Sequence, residues 1–599
     1  GDNNNSFRNP IFILLCLLFI LTLITAYSNH FQNGFHFDDS HTIEDNKAIT
    51  EINTVAFFKD VTTFSTLPSN RSYRPYTTLE NAIDYKLGGG LVPLVFHIHI
   101  FVFFILTCAA LCLFVKKLLD KLEFSQHNQF WGLLIAAAFG LLCANAETVN
   151  YIIQRSEIVA GFYVLLGFVA FLSGGKWRKW HLYLIFPFIG FFSKEMALVF
   201  SPLLFLYFLI FEEEVDLLHF YRAAEFKKCI RSFTKVFPSF VLTLAFLIFY
   251  FSMLPDTFAP GGPDRYNYLI TQPLVMCHYI LTYFIPYNLS ADTDWVAFES
   301  IMDYRAILGI VGIGVLIFLA LKTSKKKETK LFSFGLLWFF ISLLPSSSVL
   351  PFAEVLNDHR SFIPYMGLTI AFVFGSNYVL ETYFTKLLNS KNGLSIISLF
   401  IIFFLFGNAY GVHQRNKVWK DEISLWKDVT VKSPKNGRGH MNYGLALMAQ
   451  GDYTNAEISF NNALEYVPYY SSIYTNMGIL KNAIGDKESA DKYFQKSLSL
   501  NDANHKTKYF YGRYLFQNNK FKEAIDQFKE VDQSVPNYLD TNDYIFKSYH
   551  KLKDWENMKS FGNEVLANWP KDVTSKKYLD IALNKKSILT VLEEEVSNA

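Results

Sequence analysis

Residues 10–39 read PIFILLCLLFILTLITAYSNHFQNGFHFDD, an apolar run followed by a loop that carries an acidic pair. The run from Pro10 to Tyr27 is long enough to cross a hydrocarbon core about 30 Å thick. It lacks a small-residue cleavage site and more apolar runs follow it, so we expect a retained membrane anchor rather than a cleaved signal peptide. The sequence therefore places Asp38-Asp39 in the first loop beside a membrane.

The composition describes two unlike parts of one chain. The 599 residues are 51% hydrophobic and 17% aromatic, with a formal net charge of +2. The part up to about residue 411 is apolar and rich in Phe, and the part from about residue 413 is a soluble helical array. The near-neutral charge gives no sign of nucleic-acid binding. The six cysteines show neither a metal-ligand spacing nor a disulfide framework.

The apolar part predicts an all-α, polytopic membrane domain with about eleven spans. Their expected positions are 9–27, 94–115, 131–145, 158–172, 182–192, 196–211, 236–254, 305–321, 332–345, 362–380 and 394–411. Runs of Lys and Arg follow alternate spans, and the positive-inside rule assigns them to the cytoplasm together with the N-terminus. The loops 28–93, 146–157, 193–195, 255–304 and 346–361 then face the exported side. We interpret the apolar stretch 269–286 as a re-entrant or surface-lying helix.

A period of 34 residues runs through the second part. Three kinds of residue recur on it, in the order Gly, Ala, Phe: Gly444, Gly478 and Gly512; Ala456, Ala490 and Ala524; Phe460, Phe494 and Phe528. This is the tetratricopeptide (TPR) period and pattern. Small residues let the two helices of a repeat approach closely, and Phe fills the groove between them. Stacked repeats form a concave surface that binds extended peptides or partner helices, although a rigid spacer or an oligomerisation module would have the same pattern.

These patterns predict four regions. Residues 1–411 form the transmembrane domain, whose first exported loop is 28–93, and residues 412–436 form a connecting half-repeat. Residues 437–572 form the TPR repeats, including a weaker fourth repeat, and residues 573–599 form a capping helix and tail. Because the number of spans is odd, the repeats lie on the same side of the membrane as Asp38-Asp39.

Ionisable residues collect on the predicted exported side. Charges near an apolar membrane body are costly, so such residues point to a functional site. The candidates are Asp38, Asp39, Arg74, His97, Glu147, Arg155, Glu157, Lys194, Glu195, Arg265, Asp358, His359 and Arg360. Some have structural alternatives: either Asp could cap a short helix, Glu147 and Glu157 could pair with Arg155, and the cations could reach lipid headgroups.

This set fits the transfer of a sugar from a lipid phosphate to a hydroxyl group. A carboxylate, Asp38 or Asp39, can accept the proton of the attacking hydroxyl. Arg74, Lys194, His359 and Arg360 can stabilise the charge of the leaving phosphate. A divalent cation such as Mg or Mn could supply part of that stabilisation, although no cofactor is certain and the metal requirement is unknown. The chain has no P-loop, which disfavours a nucleotide-sugar donor.

In several segments the chain resembles a known family, the GT-C fold glycosyltransferases with a C-terminal TPR array, of the transmembrane-and-TPR O-mannosyltransferase type. The matching segments are Phe37-Asp38-Asp39, Arg74-Pro75-Tyr76-Thr77, Ala146-Glu147-Thr148-Val149, Arg155-Ser156-Glu157, Ser193-Lys194-Glu195, Leu289-Ser290 with Asp292, Leu343-Leu344-Pro345, and Asn357-Asp358-His359-Arg360 with Pro364. The resemblance implies a GT-C fold, a polyprenyl-phosphate-linked sugar donor, a protein hydroxyl acceptor and inverting transfer. It also maps the family's acidic pair onto Asp38 and Asp39. The Asp-His-Arg form of the late loop and the abundance of Phe, Lys, Asn and Ile favour a bacterial source.

The sequence thus predicts a multi-pass inner-membrane glycosyltransferase with a periplasmic TPR domain, or an endoplasmic-reticulum enzyme with a lumenal one if the host is eukaryotic. Its acceptors would be Ser and Thr of exported proteins held by the repeats. Three alternatives stay open: an O-oligosaccharyltransferase that uses a polyprenyl-diphosphate-linked glycan, transfer to a glycan or lipid, and a non-catalytic membrane scaffold. The sugar, the oligomeric state and the choice between Asp38 and Asp39 also stay open.

Overall fold

The computed structural model describes residues 9–259, 261–348 and 350–584, and every regular element in these ranges is helical. The chain divides into two compact units, one ending at Pro434 and one beginning at Lys435. The helices of the first unit are α1 Pro10–Ala26, α2 Thr54–Lys59, α3 Pro75–Gly88, α4 Pro93–Lys121, α5 Asn128–Gly140, α6 Ala146–Asn150, α7 Arg155–Leu172, α8 Gly175–Lys179, α9 Ile185–Phe191, α10 Phe200–Tyr207, α11 Ala223–Met253, α12 Arg265–Phe284, α13 Tyr304–Thr323, α14 Lys330–Leu343, α15 Phe362–Tyr383, α16 Thr385–Leu388, α17 Gly393–Val418 and α18 Glu422–Lys432.

Eight helical segments among the described residues are long and apolar enough to cross a membrane. They are Pro10–Gln32, Pro93–Lys121, Ile152–Leu172, Glu195–Glu212, Ala223–Met253, Tyr304–Thr323, Asp358–Tyr383 and Gly393–Val418. A ninth span results if Asn128–Gly140 and Cys143–Asn150, which are bent by 58° relative to each other, count as one.

Eight or nine of the eleven expected spans are therefore long and apolar enough among the described residues. Helices do occupy the two remaining positions, but Leu182–Phe191 and Lys330–Leu343 are short. At a rise of about 1.5 Å per residue, a helix needs about 20 residues to cross the hydrocarbon core. The stretch 269–286 lies largely in α12, a 20-residue helix interrupted by Pro273, and α12 is not one of the candidate spans.

Close helix contacts and aromatic rings build the core of the first unit. A Cβ atom on Gly335 of α14 would lie only 2.4 Å from the carbonyl oxygen of Gly367 of α15, so only glycine permits this approach. The fully buried Trp338 lies on the same contact, and its ring centroid is 5.7 Å from that of Phe114 and 5.4 Å from that of Phe168. The core thus joins α4, α7, α14 and α15.

Charged side chains gather at the two ends of these helices. At one end, Arg178 and Lys121 pair with Glu212, and Arg231 and Lys235 pair with Glu213. This end includes the basic runs that the positive-inside rule assigns to the cytoplasm, and we call it the basic end. The opposite ends of two spans, Ile152–Leu172 and Glu195–Glu212, carry the candidate site residues of the sequence analysis. Apolar helix bodies therefore separate two charged layers.

The second unit consists of helix pairs that follow the 34-residue period. They are α19 Gly437–Ala449, α20 Tyr453–Tyr466, α21 Ser471–Ala483, α22 Lys487–Leu500, α23 His505–Gln517, α24 Phe521–Ser534, α25 Thr541–Leu552, α26 Trp555–Asn568 and a last helix, α27 Val573–Asn584. The final residues of the predicted tail, 585–599, lie outside the described residues.

The periodic Gly and Phe residues pack as the sequence predicts. A Cβ atom on Gly478 would lie 2.9 Å from the ring of Phe494, and Gly444 and Gly512 meet Phe460 and Phe528 in the same way. Each Phe is buried. At the end of the array, the ring of Phe546 stacks on that of Tyr578 of α27, with their centroids 4.9 Å apart. Such a ring contact is typical of a helix that covers the end of an array.

We predict that Gly478→Val destabilises the repeat unit, residues 435–599, by about 1–3 kcal/mol, because the added side chain overlaps the ring of Phe494. Urea denaturation followed by circular dichroism measures the change. Asn462→Ala, on an exposed helix position, is the control and should change the free energy of unfolding by no more than about 0.5 kcal/mol. Equal stability of Gly478→Val and the wild type would show that the groove is not closely packed.

Candidate functional site

Asp39 is a buried link between the first loop and residues 151–157. Its Oδ1 accepts the N–H of Ile153 at 2.9 Å, and its Oδ2 accepts the N–H of His36 at 3.0 Å. The residue is fully buried. Burial raises the pKa of Asp39 to about 7, although these two N–H donors oppose the rise. Both carboxylate oxygens are thus occupied in holding the loop in place.

Asp38 is the accessible member of the acidic pair. Its side chain is 50% exposed, and its Oδ1 lies 3.2 Å from Nε2 of His41. Its backbone N–H donates to the hydroxyl oxygen of Tyr151 at 3.0 Å. Burial alone would raise the pKa of Asp38, but hydrogen bonds from His41, Asn70 and Tyr151 outweigh it and lower the pKa below its ordinary value. An ionised carboxylate at neutral pH therefore faces the open side of the loop.

The backbone before Asp38 is strained. Phe37 has φ 52°, a left-handed conformation that is uncommon for a bulky residue. Its ring packs against Trp426, with the centroids 4.9 Å apart, and against Tyr151 at 5.4 Å. These aromatic contacts hold the conformation in which Asp38 points outward and Asp39 inward, and strain of this kind is concentrated at functional sites.

Two of the predicted phosphate-binding cations lie in one ion-pair cluster. Arg74 donates to both oxygens of Glu195, at 3.2 Å from Nε and 2.8 Å from Nη2. Lys194 Nζ lies 2.9 Å from Oε2 of Glu157 and donates to Oε1 of Gln154 at 3.0 Å. Each cation thus has a carboxylate partner that fixes its position.

The other two predicted cations come from residues 358–361. His359 Nδ1 lies 3.0 Å from Oε1 of Glu147. The ring centroid of His359 is also 6.1 Å from that of Tyr151. Tyr151 in turn accepts the backbone N–H of Asp38. Arg360 pairs with Glu354, with Nη2 and Oε2 3.6 Å apart. His359 and Arg360 thus each face a carboxylate, Glu147 and Glu354 respectively.

Arg155 pairs with a residue that the sequence analysis missed. Its Nη2 donates to Oδ2 of Asp84 at 2.6 Å, and both side chains are buried. His99 Nδ1 contacts the other oxygen of Asp84 at 2.7 Å. Burial also raises the pKa of the neighbouring Glu80 to about 8, despite the opposing charge of Arg155. The interpretation of Glu147 and Glu157 as partners of Arg155 was therefore wrong. Glu147 pairs with His359 and Glu157 pairs with Lys194.

Three other candidates have different surroundings. His97 is fully buried and its ring lies 4.3 Å from that of His30. Asp358 is buried, and its Oδ2 accepts the N–H of Ser290 at 3.4 Å. Arg265 is exposed at the first position of α12. Neither His97 nor Arg265 is a partner in the ion pairs described above.

The connecting helix α18 holds the acidic loop from the other side. His36 Nδ1 lies 2.5 Å from Oε1 of Glu422, and its Nε2 lies 2.7 Å from the carbonyl oxygen of Trp419. Trp426 Nε1 donates to Oε2 of Glu422 at 2.6 Å. Burial alone would lower the pKa of His36, but the contact with Glu422 outweighs it and raises the pKa. The loop is thus clamped between α18 and residues 151–157.

Within the described residues, no group of three or more His, Cys, Asp or Glu side chains is arranged to hold a metal ion. Glu147, Glu157 and Glu195 are instead paired with His359, Lys194 and Arg74.

Sequence reasoning missed Tyr151, Asp84 and His41. Asp84 and Glu80 stand four residues apart on the helix that follows Arg74-Pro75, and this spacing of two carboxylates on one helix face was a usable signal. Tyr151 and His41 have no such signal in the sequence, because their roles depend on contacts between distant segments.

We predict that Arg155→Met destabilises the protein by about 3–5 kcal/mol, because it removes the cation from a buried ion pair and leaves Asp84 with His99 alone. The double variant Arg155→Met/Asp84→Leu should recover part of this loss. Equilibrium denaturation in detergent measures both. Arg305→Met is the control, because Arg305 pairs with Asp303 at the solvent-exposed surface, where an ion pair adds little to stability. A double variant less stable than the single one would contradict the prediction.

Comparison with known proteins agrees with this organisation. The tetratricopeptide repeat family model matches residues 437–469 and 471–504. Protein O-mannosyl-transferase TMTC4 of Homo sapiens is 23% identical over 488 residues, 72% of this chain and 64% of the relative. Protein O-mannosyl-transferase F38B6.6 of Caenorhabditis elegans is 23% identical over 76% of this chain and 63% of the relative. Protein O-mannosyl-transferase Tmtc3 of Drosophila melanogaster is 22% identical over 84% of this chain and 60% of the relative.

The chain spans a little under two thirds of the length of these relatives. Among solved structures, MamA is similar with a TM-score of 0.20 and 19% identity over 30% of this chain and 90% of that one, which is too low to carry an argument. The chain is a distant homologue of the TMTC-like protein O-mannosyltransferase family, with a membrane part followed by C-terminal TPR repeats.

Proposed function

We propose that the protein is a membrane glycosyltransferase that moves a sugar from a polyprenyl-phosphate carrier to Ser or Thr hydroxyls of exported proteins. The relatives are named for O-mannosyl transfer, which favours mannose as the sugar. The observation that carries the proposal is the half-exposed carboxylate of Asp38. Its backbone N–H donates to the hydroxyl of Tyr151, whose ring centroid lies 6.1 Å from that of His359. A base and a phosphate site are the two parts that this reaction needs.

Asp38 is the base in this proposal, and Asp39 is a positioning residue. A base must reach the proton that it accepts, and Asp38 is half exposed, whereas both oxygens of the buried Asp39 bind backbone N–H groups. The lowered pKa of Asp38 keeps it ionised at neutral pH. The sequence left open which of the two aspartates is the base, and these contacts favour Asp38.

The reaction proceeds by displacement at the anomeric carbon. The acceptor oxygen forms the new bond to this carbon while Asp38 takes its proton. The bond from the carbon to the phosphate oxygen breaks, and its electron pair leaves with the polyprenyl phosphate. Arg74, Lys194, His359 and Arg360 would stabilise that charge. Their carboxylate partners hold the cations in place before the donor binds.

The site faces the exported side in this proposal, and the N-terminus faces the cytoplasm. The basic end of the helices satisfies the positive-inside rule as the cytoplasmic end. Residues 151–157 and Glu195 lie at the opposite ends of two of the same spans. A GT-C arrangement has this kind of site at the end of its spans, as the family resemblance implies. Nine spans, counting the bent pair Asn128–Gly140 and Cys143–Asn150 as one, would put the TPR unit on that side as well, where it would hold the acceptor polypeptide.

We predict that Asp38→Asn lowers kcat by roughly 10²–10⁴-fold, because the amide cannot accept the hydroxyl proton. Transfer of a radiolabelled sugar from a polyprenyl-phosphate donor to Ser/Thr peptides, in proteoliposomes, measures the rate. Asp45→Asn, at an exposed position of the same loop, is the matched control and should keep the wild-type rate. Full activity of Asp38→Asn would contradict the assignment of Asp38 as the base. No transfer by the wild type, with unchanged folding, would favour the scaffold alternative.

We predict that Arg74→Gln and Lys194→Met each raise KM for the lipid-phosphate donor about tenfold or more, because each removes a charge-assisted contact to phosphate. KM for the acceptor peptide should change little. Steady-state kinetics with each substrate varied in turn measures both values. Lys228→Met, at the basic end, is the control. A change confined to the acceptor KM would place these cations in the acceptor site instead.

A further inference from the structure

His41 lies against the carboxylate of Asp38 on the same turn of the first loop. Its Nε2 is 3.2 Å from Oδ1 of Asp38, three residues earlier in the chain. The side chain of His41 is only 15% exposed, whereas that of Asp38 is 50% exposed. A largely buried imidazole is therefore in contact with the accessible carboxylate.

The other ring nitrogen of His41 is fixed by a serine from a later part of the loop. His41 Nδ1 lies 2.9 Å from Oγ of Ser65, which is buried. Ser65 Oγ in turn accepts the N–H of Leu67 at 3.0 Å. When the Ser65 hydroxyl donates to Nδ1, the neutral ring carries its proton on Nε2, where it can donate to Asp38. In this tautomer the imidazole supports an ionised Asp38.

Backbone contacts hold this arrangement across the loop. Thr66 N–H donates to the carbonyl oxygen of His41 at 3.0 Å, and Arg71 Nε donates to the carbonyl oxygen of Ser65 at 3.2 Å. Asn70 Nδ2 lies 3.2 Å from Nε2 of His41. Both groups are N–H donors when Nε2 carries the proton, so the amide then serves the Asp38 carboxylate, with which it also forms a hydrogen bond. Residues 65–71 thus form a frame around the imidazole that is separate from the Arg74–Glu195 and Lys194–Glu157 pairs.

We propose that His41 is a positioning residue for Asp38: the chain from Ser65 through His41 fixes the carboxylate toward the acceptor hydroxyl. The inference rests on the proposed function, because it assigns a role in the same transfer step. His41 touches Asp38 and neither reactant, so it orients the base and does not itself take the proton from the acceptor. Asp38 remains the group that receives this proton.

Loss of His41 has a defined consequence for pH dependence. The groups that face Asp38 or its immediate contacts are Asp39, His41, Asn70, Arg71, Tyr151 and Glu354. Among them, His41 donates to the Asp38 side chain from the same turn and so favours the ionised form. Its removal raises the pKa of Asp38, so the pH at which activity falls on the acid side moves upward.

The test compares the pH dependence of kcat for the full-length protein in proteoliposomes, using a polyprenyl-phosphate sugar donor and Ser/Thr peptides. For His41→Ala we expect a fall in kcat of roughly 10–100-fold, with an unchanged donor KM. The acid limb should move to higher pH by about one unit. His41→Gln, whose amide N–H can still donate, should restore part of kcat and of the acid limb. Ser65→Ala should shift both in the same direction as His41→Ala, by less.

The chain offers a matched control at the basic end. His219 Nδ1 lies 3.1 Å from Oδ2 of Asp216, which is also three residues earlier in the chain. His219→Ala therefore removes an equivalent His–Asp pair from a segment distant in sequence from Asp38. This variant should keep the wild-type kcat and the wild-type fall of kcat at acid pH. Thermal unfolding of each variant shows whether it still folds.

The outcomes separate the inference from the proposed function. Wild-type kcat and acid limb in His41→Ala, together with an inactive Asp38→Asn, would overturn the role of His41 and leave the transferase intact. A lower kcat with an unmoved acid limb, or a loss of thermal stability that His41→Gln does not rescue, would reduce His41 to a structural residue and overturn the inference. Absence of transfer by the wild type would instead reject the proposed function.

Discussion

The short segment Tyr151–Glu157 is the constraint on which the rest of the site depends. Its members bind three other segments of the chain: Tyr151 and Ile153 bind the acidic pair, Arg155 binds Asp84, and Glu157 binds Lys194. These contacts bring the first loop, α3 and the Lys194-Glu195 turn to one place. Without this segment, Asp84 would keep only its contact with His99, and Lys194 would lose both Glu157 and Gln154.

Pairing explains how so many charges can lie beside an apolar body. An isolated buried ion costs several kcal/mol, and a well-placed partner removes most of that cost. Arg155 with Asp84, Lys194 with Glu157, and Arg74 with Glu195 meet this condition. Asp38 differs from them, because half of its side chain remains exposed. The structure thus leaves one ionised carboxylate of this site open toward a substrate, and this asymmetry between Asp38 and Asp39 supports their assigned roles.

The sequence predicted much of this architecture, because periodicity and hydrophobicity report local structure. The 34-residue spacing located the packing of Gly478 against Phe494, and the family resemblance pointed to Asp38, Arg74 and Lys194. The sequence could not tell a short apolar helix such as Lys330–Leu343 from a full span, since both read as continuous apolar runs. It also could not assign partners: Arg155 was matched with glutamates near it in sequence, although its partner is Asp84 on another helix. The difference between Asp38 and Asp39 depends on which backbone N–H groups reach each carboxylate, and this is a tertiary property.

The central claim is that this protein transfers a sugar from a lipid phosphate to a protein hydroxyl. The most direct measurement is intact-mass spectrometry of a Ser/Thr acceptor peptide after incubation with the purified full-length protein in proteoliposomes that contain a polyprenyl-phosphate-linked mannose. We expect a peptide that gains the mass of one hexose on Ser or Thr, and no gain with the Asp38→Asn variant. An unmodified peptide with the folded wild-type protein, or an equal gain with Asp38→Asn, would contradict the account.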